Sequence, residues 1–134
     1  MAGRPSIADR YVRQEQFAPL GADGQATLRD ASALVIGVGG LGSWMAEILT
    51  RAGVGRLRVA DDDGVDWTNL ARQAMYTEAD ADTGREKAEA AAARLAVINR
   101  DVTVDVRCLR ARPDNIESLA DGVDVILDGS DAFP

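Results

Sequence analysis

Residues 33–38 form an apolar run with the length and branched side chains of a buried strand, and residues 41–51 then repeat their apolar positions at helical spacing. Gly37, Gly39 and Gly42 fall at the turn between the two. A short apolar run recurs three more times: residues 56–61, with Leu57 and Val59 facing one way, residues 102–108, which alternate, and residues 123–128, a strand of buried type. Helices are expected between these strands. Gly53 and Gly55 end the first helix. Thr83 and Glu86 make a capping box that opens the second, whose Ala88, Ala91, Ala92, Leu95 and Ile98 share one face as far as about Asn99. Pro113 and Asp114 open a third, closed near Gly122. Ahead of the first strand, residues 6–17 predict a short helix with Ser6 and Asp9 at capping-box spacing. Gly21 and Gly24 break it, and residues 25–29 allow one more turn. Residues 62–82 follow neither period. Their Trp67, Leu70, Met75 and Tyr76 suggest a packed loop with one helical turn, and a long loop that is not low-complexity is usually functional.

Strands alternating with helices imply an α/β fold: a Rossmann-like parallel sheet, helices on both faces, and strand order 3-2-1-4 from right-handed crossovers. Residues 1–30 read as an N-terminal helical arm and residues 31–134 as the nucleotide-binding domain. In that order the glycine turn after strand 1, Asp61 after strand 2 and the turn from Gly129 to Asp131 after strand 4 share one carboxyl edge, where ligands of such sheets bind.

Composition narrows the chemistry. With 134 residues the chain has the size of one domain, and 46% hydrophobic with 28% charged residues is ordinary for a globular protein. A net charge of −7 argues against a nucleic-acid surface, which needs clustered Lys and Arg. No apolar stretch is long enough to span a bilayer and the first residues lack a secretory core, so a cytoplasmic location is expected. One cysteine excludes an internal disulfide, and without histidine the usual zinc sets are absent; a metal here would be a hard cation on carboxylates and phosphates.

The G-x-G-x-x-G spacing of Gly37, Gly39 and Gly42 lets backbone amides approach an anion at the positive end of a helix, though close strand–helix packing uses the same glycines. Asp61, nineteen residues beyond Gly42, stands where a carboxylate accepts ribose hydroxyls; Asp62 and Asp63 read as solvated neighbours. Asn69 and Arg72, three apart, point together toward phosphates if their loop folds over the cleft. Lys87 lies in the first turn of its helix, where the dipole opposes a cation; it serves either a ligand or the solvent. Asp131 stands where it can hold Mg²⁺ between phosphates, or it is a turn aspartate. Cys108 reads as a small buried thiol, and Trp44, Met45 and Trp67 as packing residues. Arg107, Arg110 and Arg112 form a solvated basic cluster.

Read together, residues 10–14 (RYVRQ), 37–42 (GVGGLG), 52–55 (AGVG), 61–63 (DDD), 69–73 (NLARQ), Lys87 and 128–131 (DGSD) resemble, in order, the MoeB/ThiF/HesA family, relatives of ubiquitin-activating enzymes. The resemblance implies an adenylyltransferase that uses ATP and Mg²⁺ to activate a carboxylate, commonly the C-terminal Gly-Gly of a ubiquitin-like sulfur-carrier protein, and releases pyrophosphate. Position by position it implies Gly40 near the phosphates, Asp61 on the ribose, and Asn69, Arg72 and Lys87 on the triphosphate. It also implies Asp131 at the metal and Arg13 reaching the active site of a partner subunit; a homodimer is expected besides, to cover strand 4 and its neighbours. Three departures stand out. Ala132 occupies a position that is Asn in most relatives, the segment from Gln73 to Lys87 is about two residues longer, and the resemblance covers only the family's N-terminal nucleotide-binding part. Two other readings compete: a non-catalytic nucleotide-binding or dimerisation module, and an NAD-dependent oxidoreductase on the same glycine turn. The cations Arg13, Arg72 and Lys87 discriminate against the second, since hydride transfer has no use for charges grouped around a terminal phosphate.

Overall fold

The structure is a computed structural model that describes residues 10–131. Four parallel strands, β1 (Ser32–Ile36), β2 (Arg56–Ala60), β3 (Thr103–Arg107) and β4 (Val125–Asp128), form one sheet in the order β3-β2-β1-β4, as the alternation predicts. Val35 at the centre of β1 faces Val59 on one side and Leu127 on the other, so the first apolar run is the sheet's middle.

The pleat of β1 sorts its side chains between two cores. Ala33 and Val35 pack with Leu57 and Val59 beneath α3 (Gly42–Ala52) and α5 (Lys87–Ile98), whose Ala46, Ala88, Ala91 and Leu95 are buried. Leu34 and Ile36 face the opposite way, onto Leu119 and Ile116 of α6 (Ile116–Ala120). Helices thus cover both faces. Leu34, Leu57 and Leu95 are fully enclosed, each worth about 1.5–3 kcal/mol of transfer free energy.

Elsewhere the chain departs from its pattern. Before the sheet, α1 is one turn (Val12–Glu15) and α2 (Gly21–Asp30) runs through Gly24, where a break was expected. The glycine cost of about 1 kcal/mol is offset because Gln25, 1% exposed, anchors the helix by donating to the Ala52 carbonyl at 2.9 Å. Ser6 and Asp9 lie outside the described residues. The long loop carries a 3₁₀ turn (Trp67–Asn69) and a second helix, α4 (Glu78–Thr83). The capping box belongs to α4: Thr77 and Asp80 cap each other's backbone, whereas Thr83 closes that helix and Gly84 turns left-handed after it. β4 is not a buried strand. Leu127 reaches the core, but Val125 and Ile126 are 55% and 48% exposed, since no described element covers them. No helix among the described residues is long and apolar enough to cross a membrane.

Candidate functional site at the carboxyl edge of the sheet

The glycine turn is built from contacts that only glycine allows. A Cβ on Gly42 would lie 1.6 Å from the Gly37 carbonyl oxygen, and Gly37, at φ +77, backs onto Ser130. Gly129 in turn rests on Gly42, and its N–H donates to the Ile36 carbonyl at 2.7 Å. The turn after β4 is therefore seated on the turn after β1, which brings the exposed Asp131 to the same rim. Asp128 holds this turn by accepting from the Ser130 hydroxyl (2.6 Å) and N–H (3.0 Å), and those two bonds keep its carboxyl below the usual range.

At the head of α3, Ser43 donates both its N–H and its hydroxyl to the Gly39 carbonyl. The N–H groups of Gly39, Gly40 and Leu41 find no acceptor among the described residues. That is the unpaired donor set a helix N-terminus offers to an anion.

Asp61 joins this turn to the segment that follows. One carboxylate oxygen accepts the Val38 N–H (2.9 Å) and the other the Asp63 N–H (2.8 Å). Asp63 then receives the Lys87 N–H on its carbonyl (2.9 Å) and lies 3.7 Å from the Lys87 ammonium on its carboxylate. An antiparallel bridge between Gly64 and Glu86 closes the junction. Lys87, only 6% exposed, thus begins α5 with its charge turned inward, not out to solvent. Carboxylate oxygens of Asp61, Asp62 and Asp63 gather within 4.8 Å of one another, and Arg110 pairs with Asp62 at 3.2 Å.

The loop folds back over the glycines through two residues, Tyr76 and Gln73, whose contact with the glycine turn the sequence pattern does not show. The Tyr76 hydroxyl donates to the Val38 carbonyl, and burial, with the charges of Asp61, Asp80 and Asp63, pushes its ionisation well above the ordinary phenol value. Gln73, 3% exposed, sets its amide 3.6 Å from where a Gly39 Cβ would be, with its Oε1 unpaired. Gln73 stands inside the NLARQ motif, so the signal was present but attached to its neighbours.

Those neighbours differ. Asn69 is buried and caps the 3₁₀ turn by accepting the Asp66 N–H at 2.8 Å, while Arg72 is exposed and donates to the Thr68 carbonyl at 2.8 Å. Arg13 is not at this edge. Tyr11 beside it stacks under Gly53, at the far end of α3, about 16 Å of helix from Gly42. Cys108 is exposed, just beyond β3, not buried in a strand; such burial as it has, with Glu89, Glu86 and Asp61 nearby, raises its thiol pKa. Trp44 is half exposed because α3 buries its Ser43–Ala46–Glu47–Thr50 face instead, and Trp67, at the start of the 3₁₀ turn, is half exposed too.

Residues 11–134 match the family described as the ThiF family. Among curated proteins, a sulfur carrier protein ThiS adenylyltransferase of Bacillus subtilis is 47% identical over 127 residues, covering 95% of this chain and 38% of that protein. A SAMP-activating enzyme E1 of Haloferax volcanii is 40% identical over 126 residues, covering 94% of this chain and 46% of its own. The chain therefore spans less than half the length of these relatives. Among solved structures, the E. coli tRNA N6-threonylcarbamoyladenosine dehydratase TcdA in complex with ATP superposes with a TM-score of 0.83 at 33% identity, over 95% of this chain and 52% of that one.

Proposed function

We propose, from the premise that this chain belongs to the ThiF family, that it provides the nucleotide site for ATP-dependent adenylation of a carboxylate, that of the C-terminal glycine of a ubiquitin-like sulfur-carrier protein. A carrier oxygen attacks the α-phosphorus, the bond from that phosphorus to the bridging oxygen breaks, and pyrophosphate leaves with the electron pair. The nucleophile is already ionised at neutral pH, so no general base is required and the absence of histidine is no obstacle. Positioning and charge stabilisation carry the rate.

The open amides of Gly39, Gly40 and Leu41, in the turn bounded by Gly37 and Gly42, receive phosphate oxygens. Asp61, whose oxygens each keep acceptor capacity beyond their backbone bond, takes the ribose. Asn69 turns its free amide nitrogen, and Arg72 its guanidinium, to the triphosphate. Lys87 stabilises the charge that grows on the leaving pyrophosphate. The exposed carboxylate of Asp131 has the hard-oxygen chemistry that Mg²⁺ selects, and a magnesium ion held there would neutralise phosphate charge. Arg13 completes the site from a second copy of the chain in a homodimer, since its own helix lies at the opposite end of α3. The protein acts in the cytoplasm on a protein tail and takes no nucleic acid.

The observation that carries this reading is the ammonium of Lys87, enclosed and tethered through Asp63 and Asp61 to the glycine turn. A desolvated cation there suits a polyphosphate and serves no hydride-transfer step. The relatives named for ThiS and SAMP activation support the choice of carrier. The test is ATP–pyrophosphate exchange by the intact protein, with and without a carrier ending in Gly-Gly. Exchange that depends on the carrier and is lost in Lys87→Ala and Asp131→Ala is expected. Nucleotide binding without exchange would leave a non-catalytic module, and tighter binding of NAD than of Mg·ATP would make it an oxidoreductase.

A further inference from the structure

The segment that carries Arg13 is fixed by an unusual density of buried polar contacts. Tyr11, which immediately precedes α1, and Gln14, three residues on, both turn inward. The Tyr11 ring lies so close under Gly53 that a Cβ there would meet it at 2.6–2.7 Å. Its hydroxyl accepts one Asn99 Nδ2 hydrogen at 2.8 Å, and the same Nδ2 gives its other hydrogen to the Thr50 carbonyl at 2.9 Å. Gln14 Nε2 likewise donates twice, to Gln25 Oε1 at 2.6 Å and to the Ala52 carbonyl at 3.1 Å. Tyr11, Asn99 and Gln25 are 6%, 1% and 1% exposed, so these bonds form away from water, where leaving a group unpaired is costly.

The outward face is treated differently. Arg10 is spent on the Ile98 carbonyl at the end of α5. Arg13, one turn on, is exposed and makes no hydrogen bond or ion pair among the described residues. A one-turn helix has no stability of its own. Bolting α1 to the C-terminal ends of α3 and α5 by two residues while the arginine between them has no partner among the described residues is the arrangement expected of a rigid mount. The mount stands on the end of α3 remote from the glycine turn of its own chain.

We propose that Tyr11 and Gln14, locked by Asn99 and Gln25, are positioning residues that set where Arg13 is presented to the nucleotide site of a second copy of this chain. The inference rests on the partner-subunit reading of Arg13 given above, and mixed dimers of the intact protein separate the two. If Arg13 acts across the interface, equimolar Arg13→Ala and Lys87→Ala subunits recover about a quarter of wild-type exchange activity. Half the dimers are then hybrids, each with one complete site. Failure of that control overturns the partner-subunit reading and the mount with it.

Tyr11→Phe, which removes only the hydroxyl, should lower kcat about five- to tenfold with the KM for ATP unchanged, the loss of roughly one buried hydrogen bond to the arm. Mixed with Lys87→Ala it should recover about a quarter of wild-type activity, and mixed with Arg13→Ala no more than the mean of the two alone. The opposite pattern, recovery with Arg13→Ala and none with Lys87→Ala, would mean that Tyr11 supports its own subunit's site and would overturn the proposal. Gln14→Leu, which keeps the volume and loses both bonds, must fall in the same class as Tyr11→Phe. A KM for ATP that rises in either variant counts against the mount.

Discussion

At the scale of single residues, the glycines of the turn separate packing from ligand contact. Gly42 cannot accept any side chain, so a variant there reports on folding alone. Gly40 has open space around its Cβ position and no positive φ. Gly40→Ala should therefore leave thermal stability within about 0.5 kcal/mol of wild type, as surface substitutions do, yet weaken ATP binding severalfold because in the proposed site the methyl group faces the phosphates. Calorimetric titration beside a melting curve checks both halves. The rim also carries an acid-sensitive pin. Asp128 is held below its usual range chiefly by the Ser130 hydroxyl and secondly by the Ser130 N–H. Depressed in the folded state, it contributes stability above its unfolded pKa and loses that contribution as pH falls through the folded one. Ser130→Ala should raise the Asp128 pKa by NMR titration. The destabilisation it causes should be present above about pH 4 and shrink in stronger acid, where both proteins are protonated. The place of Asp61 beside the glycine turn could be read from its position in the sequence, whereas position left Lys87 open between ligand and solvent. Tyr76 and Gln73 could not be read, since both work by folding back across more than thirty residues, and no local period encodes that. Cys108 and Trp44 misled because residue type predicts average burial, whereas the choice of helix face decides the particular case.

Among elements, β1, β2 and α3 were legible because two burial constraints coincide in them: a branched apolar run and a helical stripe meet at glycines that a Cβ would block. The loop between β2 and α5 was legible only in outline. Thr83 and Glu86 have the same spacing as Thr77 and Asp80, and the choice between them is made by Gly84, whose left-handed backbone ends one helix before the next begins. Thr77 both caps Asp80 and is capped by it, with the Thr77 N–H and hydroxyl each 2.9 Å from Asp80. Thr77→Ala should cost about 1 kcal/mol. Amide exchange should show the loss concentrated in α4, with α5 protected as before, because α5 is anchored separately through Asp63 and the alanine stripe on the sheet. Composition alone marks β4 as buried; what decides exposure is whether a neighbouring layer is there to cover it, which composition does not report.

For the molecule as a whole, the sheet order followed from alternation and crossover handedness, and with it the gathering of the glycine turn, Asp61 and Asp131 on one edge. The motif containing Arg13 was equally visible, but its distance from that edge was not, since sequence order says nothing about which end of α3 the arm would dock on. That distance has a consequence measurable without any substitution. A site that borrows one cation from a second copy binds nucleotide through its own amides and Lys87, whatever its state of assembly, while turnover waits for the borrowed arginine. On dilution through the dissociation constant of the proposed dimer, specific exchange activity should fall in step with the dimer fraction followed by sedimentation, and ATP affinity should change by less than about twofold, under 0.5 kcal/mol. If activity per subunit stays constant while dimers dissociate, Arg13 has no catalytic part to play, and the buried anchoring of Tyr11 and Gln14 serves only to cap the helix ends.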